Sequence, residues 1–176
     1  RTHIQGAGIQ PFQMKIYDNF LSEELFLLVR DAIINPNFPM YYQTSIVTDK
    51  KRQDEISFTH TLYRDYGPTT ANFNILKLLI DQSDIIDCKA IMRSKINCYP
   101  RTKELVEHDL HSDFDFSHKG FLYYLNTCDG YTILNNGEDT VDSVANRLLI
   151  FDPSIPHAST SCTDEKCRWN IIMNYL

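Results

Sequence analysis

Three residues of this 176-residue chain carry side chains that could bind one metal ion. His111 and Asp113 form a His-Ser-Asp tripeptide, and residues two apart in an extended segment point to the same side. An imidazole and a carboxylate can therefore reach the same ion. His157 follows the strand-like stretch Arg147–Asp152, and a barrel fold could bring it to the same place. The sequence therefore predicts a metal site with the ligands His111, Asp113 and His157.

The composition of this ligand set indicates which metal would suit it. Two histidines and one carboxylate on one face of an octahedron leave positions open, which is typical of non-haem Fe(II) oxygenases. The same residues could instead hold zinc tetrahedrally, with a single open position. The His-x-Asp tripeptide alone is a weak signal, because the chain has six histidines and 23 acidic residues. The residues around it must therefore decide the interpretation.

A second candidate for chemistry is Arg168, eleven residues after His157 and at the start of a last predicted strand, Arg168–Tyr175. Alternate residues of this strand, from Arg168 to Asn174, share one side. An arginine that points into a barrel would need an anion, because burying an unpaired charge is costly. A planar guanidinium suits a carboxylate held by two hydrogen bonds. An arginine on an edge strand in solvent is the alternative.

Together these residues resemble the Fe(II)/2-oxoglutarate-dependent dioxygenases, most closely their prolyl-4-hydroxylase-like branch. That family has a His-x-Asp motif, a downstream histidine and, shortly after it, an arginine or lysine. The similar stretch runs from Ile91 to Tyr175 and includes four further short motifs. They are Cys98-Tyr99-Pro100, Leu122-Tyr123-Tyr124-Leu125-Asn126, Asn146-Arg147-Leu148-Leu149-Ile150-Phe151-Asp152 and Asn174-Tyr175.

The resemblance implies Fe(II) as the metal, 2-oxoglutarate and O₂ as co-substrates, and ascorbate as a support for activity. Arg168 and the hydroxyl of Tyr124 would bind the far carboxylate of 2-oxoglutarate, and Tyr99 would line its pocket. Both tyrosines could instead be ordinary half-buried strand aromatics. Thr48–Glu55 matches the position of a mobile loop that covers the substrate, although a solvated hairpin loop is the alternative. No catalytic residue beyond the metal centre is implied.

The reaction that the resemblance implies is hydroxylation of a C–H bond with release of succinate and CO₂, by an oxidoreductase. A prolyl residue of a peptide is the leading substrate. A small-molecule oxygenase acting on an amino acid, a sugar or a nucleotide is the first alternative. A jelly-roll module that binds metal without catalysis is the second, and the presence of both the ligands and the arginine disfavours it. The first 90 residues carry no motif that decides the substrate.

The elements that must position these residues form one predicted α+β domain over residues 1–176, in which residues 1–10 could be disordered. Helices are predicted at Ser22–Ile34 and Thr69–Gln82, and strands at Gln13–Tyr17, Tyr41–Val47 and Ser57–Arg64. From Ile85 onward, turn signals separate about eight short strands, which indicates a barrel or jelly roll. The resemblance implies a double-stranded β-helix in residues 85–176, with two supporting N-terminal helices.

Composition limits the partners and the compartment. The net charge is −6 without a concentrated basic face, which argues against nucleic acid. The five cysteines are odd in number and form no Cys-x-x-Cys, so scattered reduced thiols and a cytoplasmic location are expected. No apolar run approaches the roughly 18 residues of a membrane span. A peptide or small-molecule substrate is the expected partner, and a monomer is compatible with the sequence.

Three further residues are assigned no chemical role. His60 alternates with apolar residues in a predicted strand and is interpreted as structural. His118, in the turn after the His-x-Asp motif, could approach the substrate but is interpreted as a surface histidine. Gly130 lies in the predicted Asp129-Gly130 turn and needs no functional explanation.

Overall fold

The computed structural model describes residues 13–46, 56–82 and 84–176, which form antiparallel sheets supported by helices. The described helices are α1 (Glu23–Ile33) and α2 (Phe73–Asp81). The described strands are β1 (Lys15–Tyr17), β2 (Tyr41–Gln43), β3 (Ser57–Arg64), β4 (Gly67–Pro68), β5 (Ile91–Pro100), β6 (Lys119–Tyr124), β7 (Tyr131–Leu134), β8 (Asp139–Asp142), β9 (Leu148–Phe151), β10 (Ala158–Ser159) and β11 (Cys167–Tyr175).

Helix α1 follows its sequence signals closely. The backbone N–H of Leu25 donates to Oγ of Ser22 at 3.4 Å, so Ser22 caps the first turn as predicted. Phe26, Val29 and Ile33 recur at helical spacing and are buried. The helix therefore begins and ends within a residue of its predicted bounds.

Helix α2 begins later than predicted, at Phe73 instead of Thr69. The residues just before it continue the sheet, because Gly67–Pro68 pairs with the end of β3. The backbone N–H of Thr69 then donates to the carbonyl oxygen of Leu62 at 3.0 Å. This tertiary pairing outweighs the local signal for an earlier helix start.

The strands form two sheets that pack against each other. The larger sheet has the order β1-β9-β6-β11-β5-β3-β2, with β4 beside β3, and the smaller has the order β10-β7-β8. One face of the larger sheet packs on the helices. Its other face contributes Leu122, Leu149 and Ile172 to a second core, where they meet Leu134 and Val141 of the smaller sheet. The α+β class and the jelly-roll interior are thus confirmed.

Several sequence predictions differ in detail or lie outside the described residues. Residues 84–176 contain seven strands, where about eight were expected. Strand β2 ends at Gln43, short of the predicted Val47. The Thr48–Glu55 segment and residues 1–12 lie outside the part of the chain that the structure describes. None of the described helices has the length and apolar character needed to cross a membrane.

Candidate active site

The backbone brings the two predicted metal-binding histidines together. The N–H of His111 donates to the carbonyl oxygen of His157 at 3.0 Å, and the N–H of His157 returns a bond at 2.9 Å. This antiparallel bridge lies apart from the named strands. The potential ligand atoms of His111, Asp113 and His157 all lie within 4.8 Å of one another. The structure therefore places the three residues where one ion could contact them all.

Each histidine is oriented by a backbone carbonyl. Nδ1 of His111 lies 3.3 Å from the carbonyl oxygen of Asp109, and Nδ1 of His157 lies 3.0 Å from that of Ile155. A carbonyl oxygen can only accept, so each Nδ1 carries the proton. The lone pair is therefore on Nε2, the atom that would bind a metal. Such fixing of the tautomer is usual for metal-binding histidines.

The third predicted ligand, Asp113, is held from two sides. Nη2 of Arg93 lies 2.5 Å from Oδ1, and Nδ2 of Asn174 donates to Oδ2 at 3.0 Å. Burial is the largest influence on Asp113 and alone would raise its pKa, but the charge and hydrogen bond of Arg93, together with His157 and Asn174, hold the pKa below its ordinary value. The carboxylate is therefore ionised and pre-oriented.

His157 is buried, and this burial lowers its pKa to about 4. Desolvation disfavours the imidazolium because a charge loses more hydration than a neutral ring. The imidazole is therefore neutral at pH 7. Protons compete little for the nitrogen that would bind a metal.

Arg168 is fully buried, and no carboxylate of the described residues forms an ion pair with it. Nη2 donates to Oγ1 of Thr132 at 2.9 Å, and Nη1 donates to the carbonyl oxygen of Thr160 at 3.3 Å. Nε has no hydrogen-bond partner among the described residues. An interior charge with only neutral partners is unfavourable, so the site is suited to an incoming anion.

The rings of Tyr99 and Tyr124 both lie close to this guanidinium. Its carbon lies 5.8 Å from the ring centre of Tyr99 and 5.7 Å from that of Tyr124. The hydroxyl of Tyr124 hydrogen-bonds to Oγ1 of Thr132 at 2.7 Å, so Thr132 links Tyr124 to Arg168. Burial raises the pKa of Tyr124, which keeps the phenol protonated. The predicted co-substrate residues therefore form one cluster.

A cavity of about 40 Å³ is lined by the metal ligands and by Tyr99 and Thr132, the two residues of this cluster that reach it. The three potential ligands line one part of it, and Thr132 lines another. Tyr99, Leu122 and Ile172 complete much of its wall. An anion that bound Arg168 at one end could thus extend toward a metal at the other. The unpaired Nε of Arg168 suits an anion, and the Nε2 atoms of His111 and His157 suit a metal ion.

The turn at Gly130 contributes to this site, which corrects the sequence interpretation. A Cβ at this position would lie 2.5 Å from the carbonyl oxygen of Ser161 and 2.7 Å from Cδ of Arg168. Both distances are far shorter than a normal contact. Gly130 therefore makes room for Arg168. Sequence reasoning missed this because a Gly in a turn usually needs no tertiary explanation.

The other histidines of the described residues lie outside the metal cluster. His60 is buried, and its Nδ1 contacts the carbonyl oxygen of Pro39 at 2.7 Å, which confirms a structural role. The interpretation of His118 as a surface residue is wrong, because its side chain is buried. Its Nδ1 lies 2.8 Å from the carbonyl oxygen of Phe116, and its ring packs edge-on against Phe114. A cluster of aromatic rings thus covers it.

Strand β5 supplies site residues that the sequence analysis did not single out. Arg93, Lys95 and Asn97 alternate along it with Tyr99, which the sequence did indicate, and line cavities beside the metal ligands. Their period of two was visible in the sequence as alternating polar residues. Burial, and secondarily Arg93, lowers the pKa of Lys95. The signal was present, but only the fold shows that this face points inward.

Comparison with known proteins finds similar folds but no similar sequence family. No family model matches the sequence, and neither does any curated protein. Solved structures do match across nearly the whole chain. A 2OG-Fe(II) oxygenase family oxidoreductase from Burkholderia pseudomallei is 13% identical with a TM-score of 0.67, over 92% of this chain and 84% of that one. The fold is that of the 2-oxoglutarate–Fe(II) oxygenases.

Two prolyl hydroxylases share this fold. One from Pseudomonas putida is 16% identical with a TM-score of 0.57, over 92% of this chain and 91% of that one. Another, from Trichoplax adhaerens, is 18% identical with a TM-score of 0.59, over 93% and 83%. The latter was solved with a hypoxia inducible factor peptide fragment. At the level of the fold, the resemblance to the prolyl-4-hydroxylase-like branch is confirmed.

Proposed function

We propose that this protein is an Fe(II)- and 2-oxoglutarate-dependent dioxygenase. Its metal ligands would be His111, Asp113 and His157, and Arg168 would bind 2-oxoglutarate. Bound Fe(II) and 2-oxoglutarate would supply O₂ activation for hydroxylation of a C–H bond, with release of succinate and CO₂.

The observation that carries this proposal is the buried guanidinium of Arg168. A metal triad alone is compatible with other metals and with a binding module. A fully buried arginine without a carboxylate partner among the described residues needs a further explanation. A keto acid with a second carboxylate offers one, because that carboxylate would neutralise the guanidinium. The same molecule could reach the metal ligands through the cavity lined by Thr132, the hydrogen-bond partner of Arg168.

The chain's own residues would bind and orient the reactants. The two imidazoles present Nε2 because their Nδ1 atoms are held by carbonyls. Arg93 and Asn174 keep the carboxylate of Asp113 ionised and aligned. Tyr124 and Thr132 would position the far carboxylate beside Arg168, and the Tyr99 ring would exclude water from it.

A prolyl residue of a peptide is the substrate that we propose first. The support is the fold shared with prolyl hydroxylases, one of which was solved with a peptide.

The five cysteines are free thiols, which favours a reducing compartment such as the cytoplasm. Ascorbate would support activity by keeping iron reduced.

The test is release of succinate from 2-oxoglutarate by the purified protein with Fe(II) and ascorbate. Prolyl peptides and small metabolites would be compared as second substrates, with hydroxylation of each followed by mass spectrometry. Succinate production should require iron and should be lost in Asp113→Asn, which keeps the shape of the side chain but not its charge. Asp139→Asn is the matched control, because Asp139 lies on β8 outside the triad. Iron-independent or absent succinate release would refute the proposal.

A further inference from the structure

A second, larger cleft opens beside the metal ligands. It has a volume of about 270 Å³ and lies along strands β3 and β5. Ile46, Lys95, Asn97 and Tyr99 line both this cleft and the cavity that contains the metal ligands. A molecule in the cleft would therefore lie next to the proposed reaction centre.

The wall of this cleft is polar and cationic. Ligand pockets are usually lined mainly by apolar and aromatic side chains. Here Arg64, Arg93 and Lys95 contribute three cations, and none of the described lining residues is acidic. This contrasts with a net charge of −6 for the whole chain.

The three cations differ in how far they are already neutralised. Arg93 is paired with Asp113, so its charge is committed to the metal site. Arg64 lies 3.3 Å from a carboxylate oxygen of Asp65, and both side chains are mostly exposed, so this pair is weak. Lys95 forms no ion pair with any carboxylate of the described residues. Lys95 is therefore the cation that most needs a partner.

Neighbouring side chains are suited to share an anion with Lys95. Thr61 lies opposite Lys95 in the β3–β5 ladder, and Thr59 lies opposite Asn97. All four residues line the cleft. Hydroxyl and amide donors around one ammonium form a site for a carboxylate, since each of its oxygens accepts several hydrogen bonds.

We propose that this cleft selects substrates that carry a carboxylate close to the C–H bond that reacts. Lys95 would bind that carboxylate inside the cleft, and Arg64 would attract it at the rim. This inference rests on the proposed dioxygenase function and narrows its substrate class. The carboxylate could belong to an acidic residue next to a target proline or to a free acid. Both sources present the same chemistry to Lys95.

Binding can be measured without turnover on protein loaded with Mn(II) and 2-oxoglutarate, by isothermal titration calorimetry. Two matched probe pairs separate the sources. One is a prolyl peptide with Glu beside the proline and its Gln counterpart, and the other is N-acetylproline and N-acetylprolinamide. The acid should bind roughly ten-fold or more tightly than its amide in at least one pair. A preference within the peptide pair indicates an acidic peptide, and one within the second pair alone indicates a free acid.

Variants assign this preference to the cleft. Lys95→Met should remove most of it, and Arg64→Gln should reduce it roughly two- to five-fold. Lys77→Gln, which removes a charge from the exposed side of α2, should preserve it. Equal binding of acid and amide in both pairs would overturn the inference. So would a loss in Lys95→Met that is equal for both probes and accompanied by weaker 2-oxoglutarate binding, because Lys95 would then serve the co-substrate.

The outcomes for the two proposals are distinguishable. A charge preference in calorimetry without succinate release in the iron assay would leave the cleft assignment standing and refute the dioxygenase. Succinate release without a charge preference would support the dioxygenase and refute the cleft assignment.

Discussion

Replacing Arg168 by Met tests the co-substrate site through protein stability. The guanidinium is fully buried and has only two neutral hydrogen-bond partners, Thr132 and Thr160. Met retains much of the volume but requires no counterion. The ligand-free variant should therefore be about as stable as the wild type or more stable, because an uncompensated interior charge is costly.

In contrast, the increase in stability that 2-oxoglutarate gives on binding should be smaller in this variant than in the wild type. At a concentration of one hundred times Kd, a ligand stabilises the fold by about 2.7 kcal/mol. For a protein of this size that corresponds to a rise in Tm of roughly 5–11 °C. Loss of a buried charged partner costs on the order of 2–5 kcal/mol, or at least about thirty-fold in affinity. At the same concentration the variant should then gain at most about 0.9 kcal/mol.

The assay is thermal unfolding of Mn(II)-loaded protein with and without 2-oxoglutarate. Arg101→Met is the matched control, because Arg101 is exposed and directly follows β5. It should keep the full increase in Tm. An Arg168→Met variant that also kept the full increase would show that the keto acid is anchored elsewhere. Arg168→Lys should recover part of the response, since it restores the charge without the two-pronged geometry.

Three further outcomes follow from the same geometry. Gly130→Ala should weaken 2-oxoglutarate binding but not Mn(II) binding in calorimetry, because the added Cβ would displace Arg168. An equal loss of 2-oxoglutarate and Mn(II) binding would contradict this. Asn174→Ala should lower Mn(II) affinity roughly ten- to a hundred-fold, because Asn174 orients the carboxylate of Asp113. Asn37→Ala on the surface should leave that affinity unchanged, and equal Mn(II) affinities of the two variants would contradict this. Because the pKa of His157 is about 4 in the fold against 6.5 ordinarily, the unfolded chain gains a proton first as pH falls. Metal-free protein should then lose on the order of 3 kcal/mol of stability between pH 6.5 and 4 in urea titrations, and His157→Gln should lose measurably less.

The sequence by itself determined the local elements and the order of the site residues. Ser22 and the spacing of Phe26, Val29 and Ile33 predicted α1 closely, because capping and amphipathic periodicity act within a few residues. Alternation along Arg168–Tyr175 predicted which side chains share a face for the same reason. The short metal motif and the arginine after His157 could be recognised because their order along the chain is itself the signal.

Tertiary structure alone decided what each of these residues contacts. The bridge between His111 and His157 joins segments 46 residues apart, and no local pattern reports it. The roles of Gly130 and of Arg93 beside Asp113 likewise depend on distances between strands that are remote in sequence. Helix α2 begins later than predicted because β4 pairs with β3, and a local helix propensity does not include the energy of that contact. The inward direction of Lys95 was decided in the same way, since alternation defines two faces and only the packing of β5 in its sheet chooses between them.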